Sequence, residues 1–167
     1  MQSLMPSEAR TASLERSTGE TSIKLSVNLD GQGQYQVDTG NGFLDHMVGQ
    51  LARHGLFDIT LEAKGDVHVG WHHLVEDTAI MLGRAFREAL GEPRGIRRMG
   101  HAIVPLDETL VMVALDFSGR GYAVVETTLN EVMVETLSGD LIQHFLEAFA
   151  IEGRINLHAK VLAGVSP

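Results

Sequence analysis

GFLDHMVGQLARHG (42–55) and DLIQHFLEAFAIEG (140–153) are two versions of one helix. Each carries a histidine in its first half, His46 and His144, at the same distance ahead of a closing glycine, Gly55 and Gly153. The likeness continues outward. Upstream, Leu25-Ser26-Val27-Asn28-Leu29-Asp30 lies over Val111-Met112-Val113-Ala114-Leu115-Asp116. Downstream, DITLEAKG (58–65) lies over RINLHAKV (154–161), with Ile, Leu, Ala and Lys coincident. The same element order and the same histidine position in both halves mark an internal duplication. Residues 1–9 read as a loose tail, 10–95 as the first repeat and 96–167 as the second.

Within the first repeat, RTASLERST (10–18) alternates weakly, and TSIKLSVNLDG (21–31) clearly, with Ile23, Leu25, Val27 and Leu29 on one side. GQG (31–33) reads as a turn that returns QYQVDT (34–39) as the hairpin partner of that strand. Residues 56–69 read as a strand with a turn near Gly65. WHHLVEDTAIMLGRAFREALGE (71–92) is a longer amphipathic helix, with Val75, Ala79, Leu82, Phe86 and Leu90 at helical spacing and Gly91 and Pro93 ending it. In the second repeat, residues 110–127 read as strand, turn, strand. The step from His46 to His72, repeated from His144, lands beyond Pro167. The second copy is therefore expected to lack its final helix, leaving the apolar face of the 72–90 helix without a packing partner.

The composition bounds the function. The 167 residues are 44% hydrophobic and 21% charged, an ordinary globular balance. A net charge of −9 argues against a nucleic-acid backbone or an anionic membrane as partner, so an anionic substrate must be caught by a few local arginines. The absence of cysteine excludes disulfides and thiolate metal sites. With neither a signal-peptide core near the N-terminus nor a membrane-length apolar run, a cytoplasmic protein is the expectation.

The chemistry concentrates in WHHLVED (71–77). On a helix, His72 and Glu76 stand one turn apart on one face, while His73 is rotated away by about 100°. That geometry favours two neighbouring metal sites fed by one helix, with His46 and His144 as completing ligands. Imidazole and carboxylate without sulfur suit Mn, Fe, Co, Ni or Zn. The spacing is neither HExxH nor HxxEH, so a zinc-peptidase reading fails. His68 and His101 read as solvated, His158 as structural, and Arg87, Arg94 and Arg97 as surface charge or ion-pair partners.

GNGFLDHM (40–47), GDVHVGWHHLVEDTAIMLGRAF (65–86), EPRGIRRMGHAIVPLDETLVMVALDFSGR (92–120) and INLH (155–158) together resemble the imidazoleglycerol-phosphate dehydratase family of histidine biosynthesis. The similarity runs from about Arg10 to Gly164. It implies a duplicated α+β fold (ribosomal protein S5 domain 2-like) with sheets packed on helices, assembled as a homo-oligomer, a 24-mer shell in the family, with active sites at subunit junctions. It implies two Mn²⁺ ions per site: His46 and His73 match ligands of one, and His72, Glu76 and His144 match ligands of the other. The family completes each ion from a second His-His-x-x-Glu segment near its C-terminus, which would begin after Pro167. Glu20 matches a substrate-contacting residue and proton-transfer candidate, Gln50 and His54 fall in a substrate-contact segment, and Arg98 and Arg120 match phosphate-binding arginines.

The implied reaction is hydro-lyase chemistry: dehydration of imidazole glycerol phosphate, a small phosphorylated substrate, to imidazole acetol phosphate. The chain departs from the family at Gly70-Trp71, which replaces a common acidic pair, and at Leu74, which replaces a common Thr; altered capping of the ligand helix is expected. A second reading is a truncated, non-catalytic oligomerising relative of the same fold with weak metal binding. A third, an RNA-binding domain, is opposed by the charge and the lack of a basic stripe.

Overall fold

Alternation at Ile23, Leu25 and Val27 becomes a strand with those three side chains buried and the residues between them turned outward. In the computed structural model, which describes residues 9–127, 129 and 132–164, this strand is β2 (Thr21–Asn28), which shares a sheet with β1 (Thr11–Ser17), β3 (Tyr35–Asp38) and β4 (Asp58–Gly65). Helix α1 (Gly42–Gly55) joins β3 to β4, and after a 3-10 turn (Val67–Val69) comes α2 (His72–Leu90). The second half supplies β5 (Met99–Leu106), β6 (Thr109–Asp116), β7 (Tyr122–Glu126), a small hairpin of β8 (Met133–Val134) and β9 (Leu137–Ser138), α3 (Gly139–Gly153) and β10 (Asn156–Ala163).

The two main sheets have the same topology. One is ordered β1-β2-β4-β3 and the other β5-β6-β10-β7, each with two antiparallel pairings followed by a parallel one. Helix ends repeat as well: Leu56 (φ 57°) and Arg154 (φ 53°) are left-handed, and their N–H groups return to Ala52 O and Ala150 O. Gly55 and Gly153 are the last helical residues rather than the left-handed ones. A Cβ on Gly55 would strike the Phe57 ring, and one on Gly153 would come within 2.9 Å of Ile155 Cδ1.

Three expectations are corrected. The segment expected to form a hairpin with β2 instead pairs in parallel with β4, from Tyr35 opposite Ile59 to Asp38 opposite Glu62. The Asp58 carboxylate accepts from Gln32 N (2.8 Å) and Gln34 N (2.9 Å), pinning the loop to the start of β4. The strand overlay is also displaced. Asn28 faces Asp58 and Asp116 faces Asn156, so the true equivalences lie two residues from the sequence match in both strands. An even slip keeps the buried face, which is why the match looked right.

Helix α2 is the third correction: its apolar face is covered. Leu74, Val75, Met81, Leu82 and Phe86 are buried against β1, β2 and α3. Fully burying Leu82 alone stabilises by roughly 1.5–3 kcal/mol. The open apolar surface lies instead on the second sheet, where Met99, Ile103, Val104 and Leu106 of β5 are exposed, and in a groove of about 260 Å³ between α1 and α3 lined by Phe43, Met47, Leu141 and Phe145. Among the described residues no helix is long and apolar enough to cross a membrane.

Candidate metal centre

Helices α2 and α3 run side by side in the same direction. His72 stacks on His144 near their N-terminal ends, and Arg84 Nε donates to Glu152 Oε2 at 2.8 Å further along. Gly83 allows the approach: a Cβ there would lie 2.6 Å from Phe149 O and 2.8 Å from Gly153 N. The start of α2 is set without a side-chain cap. Trp71 offers no capping atom, and Gly70, at φ 127°, occupies a conformation that side chains rarely adopt.

At this shared end His72, Glu76 and His144 converge. One ligand atom from each lies within 4.8 Å of the others. His144 Nε2 is 3.1 Å from Glu76 Oε1, His72 Nε2 is 3.7 Å from Glu76 Oε2, and the two imidazoles stack at 5.1 Å. The Nε2 atom of His144 is buried yet has no aligned hydrogen bond. A buried imidazole nitrogen aimed beside a carboxylate oxygen without a bond between them is a donor pair suited to a cation. The residues therefore fit a divalent metal of nitrogen and oxygen preference.

His73 points elsewhere. Its ring is nearly perpendicular to that of His72, with centroids 6.0 Å apart. Its Nδ1 lies 3.1 Å from both carboxylate oxygens of Asp66 and 3.9 Å from Glu20 Oε2. The hydrogen bond to Asp66, with the Glu20 charge adding, raises the His73 pKa above the ordinary histidine value. The divergence of the adjacent rings follows from the helical step of about 100° per residue.

The remaining candidates are spread over the molecule. His46 is exposed on α1 and outside the triad; Gln50, half-buried, and His54, exposed, lie further along that helix. Arg98 precedes β5 and forks onto Asp116, with Nε 2.7 Å from Oδ1 and Nη2 donating to Oδ2 at 3.1 Å. Arg120 is exposed in the turn before β7, where its backbone is held by Ser118. Both arginines lie by the far end of α2: Phe117, whose N–H donates to Arg98 O, shares clefts with Leu90 and Gly91. Helix α2 is about 27 Å long. His68, His101 and His158 are exposed and outside the triad.

Sequence reasoning passed over Asp66, Thr21 and the part Asp77 plays. Asp77 is buried, ion-paired with Arg16 and hydrogen-bonded by Thr21 Oγ1, which ties α2 to the start of β2 beside Glu20. Only its place next to Glu76 hinted at this. Asp66 lies outside the helix period and gave no signal.

The chain is similar to known proteins in sequence and fold. A family model described as imidazoleglycerol-phosphate dehydratase matches residues 39–167. A relative of that name from Roseiflexus sp. (strain RS-1) is 56% identical over 160 residues, which are 96% of this chain and 80% of the relative. Another, from Dehalococcoides mccartyi (strain CBDB1), is 57% identical over 155 residues, covering 93% of this chain and 78% of the relative. The crystal structure of imidazoleglycerol-phosphate dehydratase from Staphylococcus aureus subsp. aureus N315 superposes with a TM-score of 0.82 at 29% identity, covering 93% of this chain and 86% of that one. The Pyrococcus furiosus structure superposes at 0.76 with 33% identity, covering 90% and 80%.

Proposed function

Because the chain belongs to the imidazoleglycerol-phosphate dehydratase family, lyases of histidine biosynthesis, we propose that it dehydrates imidazole glycerol phosphate to imidazole acetol phosphate with manganese as its metal. The observation that carries the reading is the convergence of His72, Glu76 and His144 around a buried nitrogen with no aligned hydrogen bond. These three residues would hold one cation. His73, turned to a neighbouring direction, would hold a second together with His46.

The hydrogen to be lost sits on a carbon with no carbonyl beside it, so the substrate ring must take up the electrons. Two divalent cations, when bound, supply the positive charge that favours a deprotonated ring. Glu20, exposed beside His73, is placed to accept the carbon proton. Arg98, oriented by its fork onto Asp116, and Arg120 would hold phosphate through charge-assisted hydrogen bonds.

The length of α2 separates these two functions. A five-membered ring with three carbons and a phosphate is far shorter than that helix, so the metal end and the arginine end of one chain cannot grip the same molecule. The site is read as composite, with the His72, Glu76 and His144 ligands from one copy and phosphate-binding arginines from another, in a homo-oligomer.

Complementation tests this reading. His144→Ala and Arg120→Ala should each be nearly inactive alone, and co-assembly should restore part of the activity through sites that combine an intact metal end with an intact arginine end. Absence of rescue in verified mixed oligomers would contradict the composite site.

A further inference from the structure

We propose that Asp66 is the positioning residue that presents His73 to a divalent cation and holds Glu20 beside it; this rests on the reading of His73 as a ligand. Asp66 follows directly on β4, and it reaches in two directions. Its backbone N–H donates to Glu20 O at 3.0 Å, while its carboxylate oxygens both lie 3.1 Å from His73 Nδ1.

The second contact decides the ring chemistry. A carboxylate only accepts, so the hydrogen of the neutral imidazole sits on Nδ1 and Nε2 keeps its lone pair. That tautomer is the one able to donate to a cation from Nε2, and a carboxylate behind a ligating histidine also raises its basicity. The competing role for an acid at this place is to cap the turn that follows. Asp66 precedes Val67–Val69 but makes no side-chain cap hydrogen bond there, so its carboxylate is committed to the ring.

The backbone contact places Glu20. Thr21 pairs with Gly65 in the β2–β4 ladder, so the Asp66 N–H to Glu20 O bond extends that ladder by one step beyond its end. On the other side Thr21 Oγ1 donates to the buried Asp77 carboxylate. Glu20 is thus held by its own carbonyl and by its neighbour's hydroxyl, while its carboxylate stays exposed. One residue couples a ligand's orientation to the position of the proton acceptor.

The test uses the full-length oligomer without metal and then with Mn²⁺ alone. Nitrogen-15 NMR of histidine-labelled protein at mildly alkaline pH, with His73 assigned from His73→Ala, should show His73 protonated at Nδ1. Asp66→Ala should shift it toward the Nε2–H form and weaken Mn²⁺ binding about 10–100-fold. Asp66→Asn, whose amide oxygen accepts the same bond, should restore the tautomer and part of the affinity. If Asp66→Ala fails to fold, Asp66→Ser carries the same prediction, since it keeps the backbone bond and is too short to reach the ring. An unchanged tautomer or an unchanged Mn²⁺ affinity in the variant lacking the carboxylate overturns the proposal. If His73→Ala itself leaves Mn²⁺ binding unchanged, the ligand reading fails instead.

Discussion

Glu76 Oε1 and His144 Nε2 lie 3.1 Å apart although they belong to different copies of the duplicated unit. Glu76 comes from the helix that follows the first sheet's β4, and His144 from the helix that precedes β10. The contact exists because α2 and α3 lie parallel, which brings the first turns of both to one end. Replacing the carboxylate by an amide removes the negative charge between the two imidazoles. Glu76→Gln should weaken Mn²⁺ binding by at least about tenfold, ~1.4 kcal/mol, in calorimetric titration. Unaltered binding would remove Glu76 from the ligand set.

The helix pair depends on Gly83. A methyl group there meets backbone atoms of α3, Phe149 O and Gly153 N, rather than the end of a flexible side chain. Gly83→Ala should therefore separate the helices and cost about 1–3 kcal/mol in denaturant unfolding, despite the higher helix propensity of alanine. Because His72 and His144 ride on the separated helices, Mn²⁺ affinity should fall with stability.

Arg84 and Glu152 bind the same two helices further along. The hydrogen bond from Arg84 holds the Glu152 carboxyl below its usual range. A depressed carboxyl contributes stability that is fully present above its unfolded value, about 4.3, and is lost as pH falls through the lower folded value. Glu152→Gln should therefore lower the melting temperature at neutral pH, with the gap to the parent protein closing in acid. The pair is partly solvated, so the loss should stay below about 1 kcal/mol. A gap that widens in acid would show that the ion pair is not its source.

Much of this could be read from the residues alone, for identifiable reasons. The triad was legible because two signals are local: helical period puts His72 and Glu76 on one face, and duplication aligns His144 with His46. The placement of 34–39 was not. Gly31 to Gly33 announces a turn, but nothing nearby says that the Asp58 carboxylate will capture the loop and send the strand to the far side of β4. Strand register was legible only in parity, since alternation repeats every two residues and a slip of two leaves the buried face unchanged. The 99–106 strand was missed because its side chains are exposed on both faces and carry no alternation. Asp66 was invisible for a different reason: its partners Glu20 and His73 are brought to it by sheet pairing and the helix start, not by spacing.

The most direct measurement is anomalous diffraction at the manganese edge from crystals of the Mn²⁺-loaded protein. A peak within coordination distance of His72, Glu76 and His144, with a second beside His73, is the expected result. Full-occupancy manganese bound elsewhere, with no peak at the joined N-terminal ends of α2 and α3, would contradict it.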